Sequence, residues 1–286
     1  MSNKNSCNIC KSKSYNKLPL YKKDYLCECD NCGFAFSYKV PTDKELSKVY
    51  KNYDREIKLT KDSINNIEKL VKWKIKKFKI NSVLDIGCGN GEYLDAAKSQ
   101  KLKTFFSEFD DKELISKLKK NHSFVDGGMY PFSKKKFDLV TLTELIEHTI
   151  TPNEIIKNIY NLQNKGGLIY ITTPNYNSLE KKLLRNNSSI FLYPEHLSYF
   201  TSKTLDKLLT QNNYKKVYNY SDNISLFIIL DSIKAKFFLK YNVDKISDNA
   251  QFVAKRTGLI FIKKIISKIL QLLGLGSNLK AIYIRN

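Results

Sequence analysis

The sequence predicts an α/β protein. Its core is a doubly wound, seven-stranded Rossmann-like sheet, with a small amino-terminal zinc ribbon and a carboxyl-terminal helical insertion. Three observations predict it. Residues 82–94 read as a buried strand (Val83, Leu84, Ile86), a turn with glycine at 87, 89 and 91, and a helical pattern (Tyr93, Leu94, Ala96, Ala97). This strand, glycine turn and helix make the first βα unit of a nucleotide-binding sheet. Strand and helix patterns then alternate along the chain, which implies parallel pairing with the site at the carboxyl ends of the strands. Two C-x-x-C pairs near the start supply the third observation.

The glycine turn does not match a dinucleotide fingerprint. That pattern needs glycine at position 92, which is glutamate here, and the third glycine falls at 91. Asp85 precedes the first glycine by two residues, giving Asp-x-Gly-x-Gly-x-Gly. Glycine lets the backbone turn and lets a ligand approach where a Cβ would clash.

Cys7 and Cys10 form one cysteine pair, Cys29 and Cys32 the other, with 18 residues between them. Two such knuckles place four thiolates tetrahedrally around Zn²⁺. A segment this short has no core of its own, so metal binding would supply its folding energy. Four protein ligands leave no open position, so the ion is expected to be structural. Cys27 is an alternative to Cys29 but breaks the spacing.

Between ribbon and sheet, Pro41 to Leu46 starts a helix with Thr42 or Asp43 as N-cap. A second amphipathic helix runs from Ile64 to Phe78. Residues 41–80 thus form a bridge placed to lid the cofactor pocket. The second strand spans 103–106, with Glu108 just past its end. That glutamate lies 17 residues after Gly91, where a carboxylate accepts from both ribose hydroxyls. A helix is expected at 111–121. A short third strand at 122–126 ends in Gly127-Gly128-Met129, where Asp126, Met129 or backbone amides would meet an adenine ring. The fourth strand, 137–142, leads into Thr143-Glu144-Leu145-Ile146-Glu147-His148, and a helix covers 152–163. The fifth strand, 168–172, is closed by Thr173-Pro174-Asn175. A sixth strand is expected at 217–220, and a seventh at 280–284 closes the sheet antiparallel.

The series Phe137-Asp138, Ile146-Glu147-His148, Lys165-Gly166-Gly167 and Thr173-Pro174-Asn175 resembles that of the class I S-adenosylmethionine (SAM) methyltransferases. The segment Tyr193-Pro194-Glu195-His196-Leu197-Ser198-Tyr199-Phe200-Thr201 and the cysteine pairs sharpen the likeness. Together they resemble bacterial zinc-ribbon methyltransferases of sugar and surface-polysaccharide biosynthesis, over roughly residues 5–220. The chain is similar in part to nucleotide-sugar C-methyltransferases. Those are longer and hold the nucleotide sugar in a further domain, so C-methylation of that kind is not expected.

The resemblance implies SAM as cofactor, held by Asp85, Gly87, Cys88, Gly89, Gly91, Glu108, Phe109, Asp126, Gly127, Met129 and Thr143. It implies methyl transfer to a small acceptor, a hydroxyl of a sugar or cell-surface glycan precursor. His196 would be the general base, with Tyr193 and Glu195 shaping its pocket and Glu195 or Glu147 fixing its tautomer; His148 is the other candidate base. His122, the third histidine, precedes a strand and is read as a surface residue. The rival readings are an N- or C-methyltransferase on another metabolite, a non-catalytic SAM-fold adaptor and an RNA methyltransferase.

Composition bounds the rest. The 286 residues carry a net charge of +21, which invites a nucleic-acid partner. Only four of the 49 basic residues are arginine, however, and lysines on solvated faces account for the excess. The loop after the fourth strand also lacks the Asn/Asp-Pro-Pro-Tyr/Phe of many base-nitrogen methyltransferases. No signal-peptide apolar region occurs in residues 1–30, and no apolar run reaches the roughly 20 residues that span a bilayer. A cytoplasmic protein with reduced cysteines is expected. Residues 259–273 alternate an apolar face (Ile262, Ile265, Ile266, Ile269, Leu273) with a lysine-rich one. That face would pack on the domain or on a second subunit, or lie on a membrane surface. The division expected is 1–40 ribbon, 41–80 bridge, 81–222 SAM-binding core, 223–278 helical insertion and 279–286 last core strand.

Overall fold

The computed structural model describes residues 2–42, 44–46, 77–109, 111–222 and 268–286. Most of the expected bridge, including the helix at 64–78, and most of the helical insertion lie outside the described residues. So does the amphipathic stretch up to residue 267.

The central sheet is built from β6 (Ser82–Ile86), β7 (Lys103–Ser107), β8 (Ser123–Phe124), β9 (Phe137–Thr143), β10 (Gln163–Pro174), β12 (Tyr214–Asp222) and β13 (Asn278–Arg285). Their spatial order is β12-β13-β10-β9-β6-β7-β8. The run from β10 to β8 is parallel, and β13 is antiparallel to both β10 and β12. Val83, Leu84, Asp85 and Ile86 are all buried. That continuity is what a parallel strand covered on both faces requires. Helices α1 (Glu92–Ser99), α2 (Lys112–Leu118), α3 (Pro152–Leu162), α4 (Leu179–Leu184) and α5 (Ser202–Thr210) occupy connections between strands. Asp111 caps α2, accepting from the Leu114 amide at 2.9 Å. Thr201 and Thr204 cap α5 reciprocally, so the helix takes its cap there and not from His196.

Three elements differ from expectation. The third strand shrinks to two residues, because His122 turns inward and leaves the ladder. Its Nδ1 lies 2.8 Å from Thr104 Oγ1 and its Nε2 3.2 Å from Asp95 Oδ1. His122 is therefore buried, not a surface residue: both ring nitrogens find partners inside. The fifth strand, expected at 168–172, starts earlier, at Gln163, and takes Gly166-Gly167 into β10 through a register shift between Gln163 and Leu168. The outer strands β12 and β13 are about twice their expected length, since each pairs along the whole of the other.

The amino-terminal region folds as β1 (Ser2–Asn3), β2 (Tyr15–Lys17), β3 (Leu26–Cys29), β4 (Ala35–Ser37) and β5 (Lys39–Val40). Its main sheet runs β11-β4-β3-β2, where β11 (Ser198–Tyr199) comes from the segment between α4 and α5. Ser198 pairs with Phe36 and Tyr199 with Ala35. Further ties fix the ribbon to the core: Lys4 Nζ donates to the Ile150 carbonyl at 3.1 Å, Gln211 Nε2 donates to the Ile9 carbonyl at 3.2 Å, and Phe34 packs on Phe200 with ring centres 5.1 Å apart. Cys7, Ile9, Phe34 and Phe36 share one apolar core with Leu84, Val140 and Ile171. The ribbon thus buries its apolar side against the central sheet, which a segment too small for its own core must do.

Candidate active site

Three groups of residues carry candidate chemistry, the first two at the carboxyl ends of the parallel strands and the third in the amino-terminal ribbon. The first surrounds the glycine turn. Gly87 and Gly89 adopt φ of 66° and 53°, conformations that favour glycine. A Cβ on Gly87 would lie 2.8 Å from the Leu145 side chain, so the turn also packs on the loop after β9. A Cβ on Gly89 would meet no protein atom within 4 Å. The Gly89 amide donates to Glu108 Oε2 at 3.0 Å, joining the ends of β6 and β7. Asp85 is buried beneath the turn and accepts from Thr141 Oγ1 at 2.5 Å, so its role is to brace β6 against β9.

A cavity of about 330 Å³ opens beside this turn. Glu108, Phe109, Asp126, Gly127 and Met129 line it, together with Ile115, Phe124, Gly128 and Tyr130. Ile115, Phe124 and Tyr130 carried no sequence signal. Ser107 Oγ donates to the Gly128 carbonyl at 2.8 Å and sets the loop wall. Cys88 and Thr143 are not among the lining residues. Burial and the carboxylates of Asp85 and Glu108 push the Cys88 thiol well above its ordinary range, which keeps it a neutral wall residue.

The second group is Glu147, His148 and His196. One ligand-type atom from each lies within 4.8 Å of the others. Glu147 and His148 belong to a short 3₁₀ turn, Ile146–His148, after β9. His196 comes from the segment before β11, which the ribbon holds through the Ser37 amide to the Leu197 carbonyl, 3.0 Å. The Leu197 amide in turn donates to the Glu147 carbonyl at 2.8 Å. The two imidazoles meet edge to face with centres 4.9 Å apart. His196 Nδ1 lies 2.8 Å from the Ile190 carbonyl. A carbonyl only accepts, so Nδ1 carries the proton and the neutral ring keeps its lone pair on Nε2. Neither Glu195 nor Glu147 sets this tautomer; a backbone group does, which no side-chain pattern reveals.

Glu147 is buried. Its Oε2 accepts from Thr173 Oγ1 at 2.9 Å, while its Oε1 has no hydrogen-bond partner. Burial, and then the charge of Glu144, raises its pKa well above the carboxylate range. His148 Nδ1 is likewise buried without a partner. Burial, then the neighbouring His196, pushes His148 down to about 4. Burial lowers His196 too. Both rings are neutral at physiological pH. Glu144, at the tip of β9, takes a left-handed φ of 50°, a strained position for a non-glycine residue. Tyr193 packs edge-on against Tyr25 of the ribbon, centres 4.9 Å apart, and its hydroxyl is buried without a partner. Its amide lies 3.4 Å from Asp24 Oδ1.

The third group is the set of Cys7, Cys10, Cys29 and Cys32, whose sulfurs all lie within 4.8 Å of one another. Cys7 and Cys32 are 3.6 Å apart, Cys10 and Cys29 3.4 Å. Four thiolates at 2.3 Å from a tetrahedral zinc would be separated by roughly 3.8 Å. Cys27 stands outside the set, its thiol donating to the Phe36 carbonyl at 3.3 Å, and burial pushes it up to about 12.

A family model described as "Methyltransferase domain" matches residues 53–219. The chain belongs to that family. Among curated proteins it is 30% identical, over 105 residues, to a ubiquinone biosynthesis O-methyltransferase of Coxiella burnetii, covering 33% of this chain and 44% of that one. It is 26% identical over 107 residues to the Nitrosomonas europaea protein of the same name, covering 34% and 45%. The match thus spans less than half the length of these relatives. In fold the chain is similar to a SAM-dependent methyltransferase of Archaeoglobus fulgidus (TM-score 0.51, 19% identity, 85% of this chain and all of that one). It is also similar to the plantazolicin methyltransferase BamL, solved with S-adenosylhomocysteine (SAH) and a substrate analogue (0.52, 20%, 85% and 91%), and to the [4+2]-cyclase SpnF (0.52, 13%, 86% and 97%). The last shows that this fold is shared by a protein named for a different reaction.

Proposed function

We infer that the protein transfers a methyl group from SAM to a hydroxyl of a small acceptor, with a sugar or glycan precursor as the acceptor class. The observation that carries this reading is the neutral, backbone-fixed imidazole of His196 beside the end of the sheet that holds the glycine turn. SAM would lie across β6 and β7, its ribose on Glu108, its adenine in the cavity between Phe109, Asp126 and Met129, and its amino-acid end against Gly87 to Gly91. The cofactor supplies the activated methyl. The chain's own task is to align the acceptor oxygen with the sulfonium carbon and to take its proton. In this reading His196 accepts that proton, and Tyr193, with its unpartnered hydroxyl beside the ribbon, orients the acceptor. The four ribbon thiols would hold one structural zinc.

The test is His196→Ala. Turnover, measured as SAH released across hydroxyl acceptors, should fall by about 10² to 10⁴, the usual contribution of a general base, while SAM affinity stays near wild type. A loss below tenfold, with collapse in His148→Ala, would move the base to His148. A protein that binds SAM but releases no SAH with any acceptor would be a SAM-fold adaptor.

A further inference from the structure

We propose that Glu147, His148 and His196 form a second metal site, separate from the cysteine cluster, that takes a divalent cation at the carboxyl end of β9. The chemical use of the ion rests on the methyl-transfer reading above; its binding does not.

Four observations converge. The donor set is two imidazoles and one carboxylate, with one donor atom from each within 4.8 Å of the others. This set leaves coordination positions open and suits Zn²⁺, Mn²⁺, Fe²⁺ or Co²⁺. Each of Glu147 and His148 keeps one ligand-type atom, Oε1 and Nδ1, buried with no hydrogen-bond partner. Leaving such atoms unpaired is costly, and a cation bound between the side chains would satisfy them. The outer contacts have the form that metal ligands take: Thr173 Oγ1 donates to the other Glu147 oxygen at 2.9 Å, and His196 gives its Nδ1–H to the Ile190 carbonyl. Finally, the Leu197 amide donates to the Glu147 carbonyl at 2.8 Å, which fixes the turn carrying Glu147 and His148 against the segment carrying His196.

The ion would sit against the loop carrying Leu145, which packs on Gly87 of the cofactor turn. There it would lower the pKa of a hydroxyl that binds it. The acceptor O–H bond breaks and its proton passes to solvent. The oxygen attacks the methyl carbon as the sulfur–methyl bond breaks, giving the methyl ether and SAH. In the ion-loaded protein the free lone pair of His196 is a ligand and not a base, so base and ligand are alternative roles of His196, and the effect of the ion on SAH release decides between them.

Mn²⁺ is the probe, because thiolate clusters disfavour it while imidazole and carboxylate sites accept it. The full-length protein, its ribbon loaded with Zn²⁺, is titrated with Mn²⁺ while free Mn²⁺ is followed by electron paramagnetic resonance. One Mn²⁺ per chain is expected, and Glu147→Gln and His148→Ala should each weaken it at least tenfold with SAM binding and zinc content unchanged. His148→Asn serves if the alanine variant loses SAM binding. Absence of bound Mn²⁺, or equal affinity in wild type and variants, overturns the site. Removal of the ion by a chelator that leaves the ribbon zinc in place should abolish SAH release, and Mn²⁺ should restore it. SAH release that is indifferent to the ion overturns its catalytic use and leaves methyl transfer standing. Mn²⁺ bound at the cluster, with no SAH from any hydroxyl acceptor, overturns methyl transfer and leaves the site standing.

Discussion

The cysteine cluster and the Glu147–His148–His196 cluster can be compared atom for atom, and they are opposite in every respect that matters. The first is all sulfur, has four donors and draws them from two local knuckles. The second is nitrogen and oxygen, has three donors and joins the loop after β9 to a segment beyond β10. A closed four-donor set holds structure; a three-donor set in a cleft leaves room for a substrate. The two are nonetheless mechanically joined. Strand β4 of the ribbon pairs with β11, and Ser37 holds Leu197, the residue after His196. The ribbon holds the segment that carries His196, so its folding and the position of that ring are one problem.

The largest effect should come from breaking the closed cluster. Cys29→Ser removes one of four ligands from a segment whose folding energy would come from the metal, a term of about 10–16 kcal/mol in small zinc peptides. Part of that loss is offset here by the core the ribbon shares with the sheet. The expected outcome is protein that has lost its zinc, melts earlier, and releases SAH at a sharply reduced rate because the β11 segment is no longer held. Metal analysis and thermal melting read the first two. A Cys29→Ser protein with full zinc content and wild-type turnover would separate ribbon from site and break the comparison. Cys27→Ser is the control: its thiol makes one bond to a carbonyl, and it should keep its zinc.

A smaller effect probes the cofactor side. Glu108→Ala removes the carboxylate that receives the Gly89 amide at 3.0 Å and lines the 330 Å³ cavity. SAM affinity, read by calorimetry, should fall by about 1–3 kcal/mol, the usual cost of losing a charged acceptor. Mn²⁺ affinity should not change, since Glu108 is not in the metal-type cluster. Unchanged SAM affinity would remove Glu108 from the ribose.

How much of this was legible in the sequence follows the same division. The glycine turn, the alternating strands and the C-x-x-C pairs are local patterns, and the structure reproduces their elements. The fifth strand was read too short because Gly166-Gly167 signals a turn, whereas β10 absorbs the pair as a bulge. Glu108, Asp126 and Met129 could be placed by counting from strand ends. The pairing of His148 with His196 could not, because 48 residues separate them and only the folded ribbon sets their distance. The Ile190 carbonyl, which fixes the His196 tautomer, has no side-chain signature at all. The orphaned oxygen of Glu147 is a property of the packed interior, and no spacing rule reaches it.

The smallest effect sharpens the contrast among the histidines themselves. His122 is buried like His196, but both its ring nitrogens are occupied, by Thr104 and Asp95. It is a structural histidine and should bind neither acceptor nor ion. Burial lowers its pKa from the usual 6.5 or so, a shift that Asp95 only partly opposes. The unfolded chain therefore takes up a proton near pH 6.5, while the folded protein resists until lower pH. Where the unfolded state binds more protons, stability falls as pH falls. His122 thus contributes a loss of stability that begins below about pH 6.5 and is absent above it. His122→Gln keeps a side chain able to bond Thr104 but removes the titration. Urea unfolding of the two proteins at pH 7.5 and pH 5.5 should show a smaller drop in the variant, with Mn²⁺ and SAM affinities matching wild type at pH 7.5. An equal drop in both proteins would mean that His122 titrates alike folded and unfolded. A loss of Mn²⁺ affinity in the variant would mean that the open and the occupied histidines are not the separate classes their contacts make them.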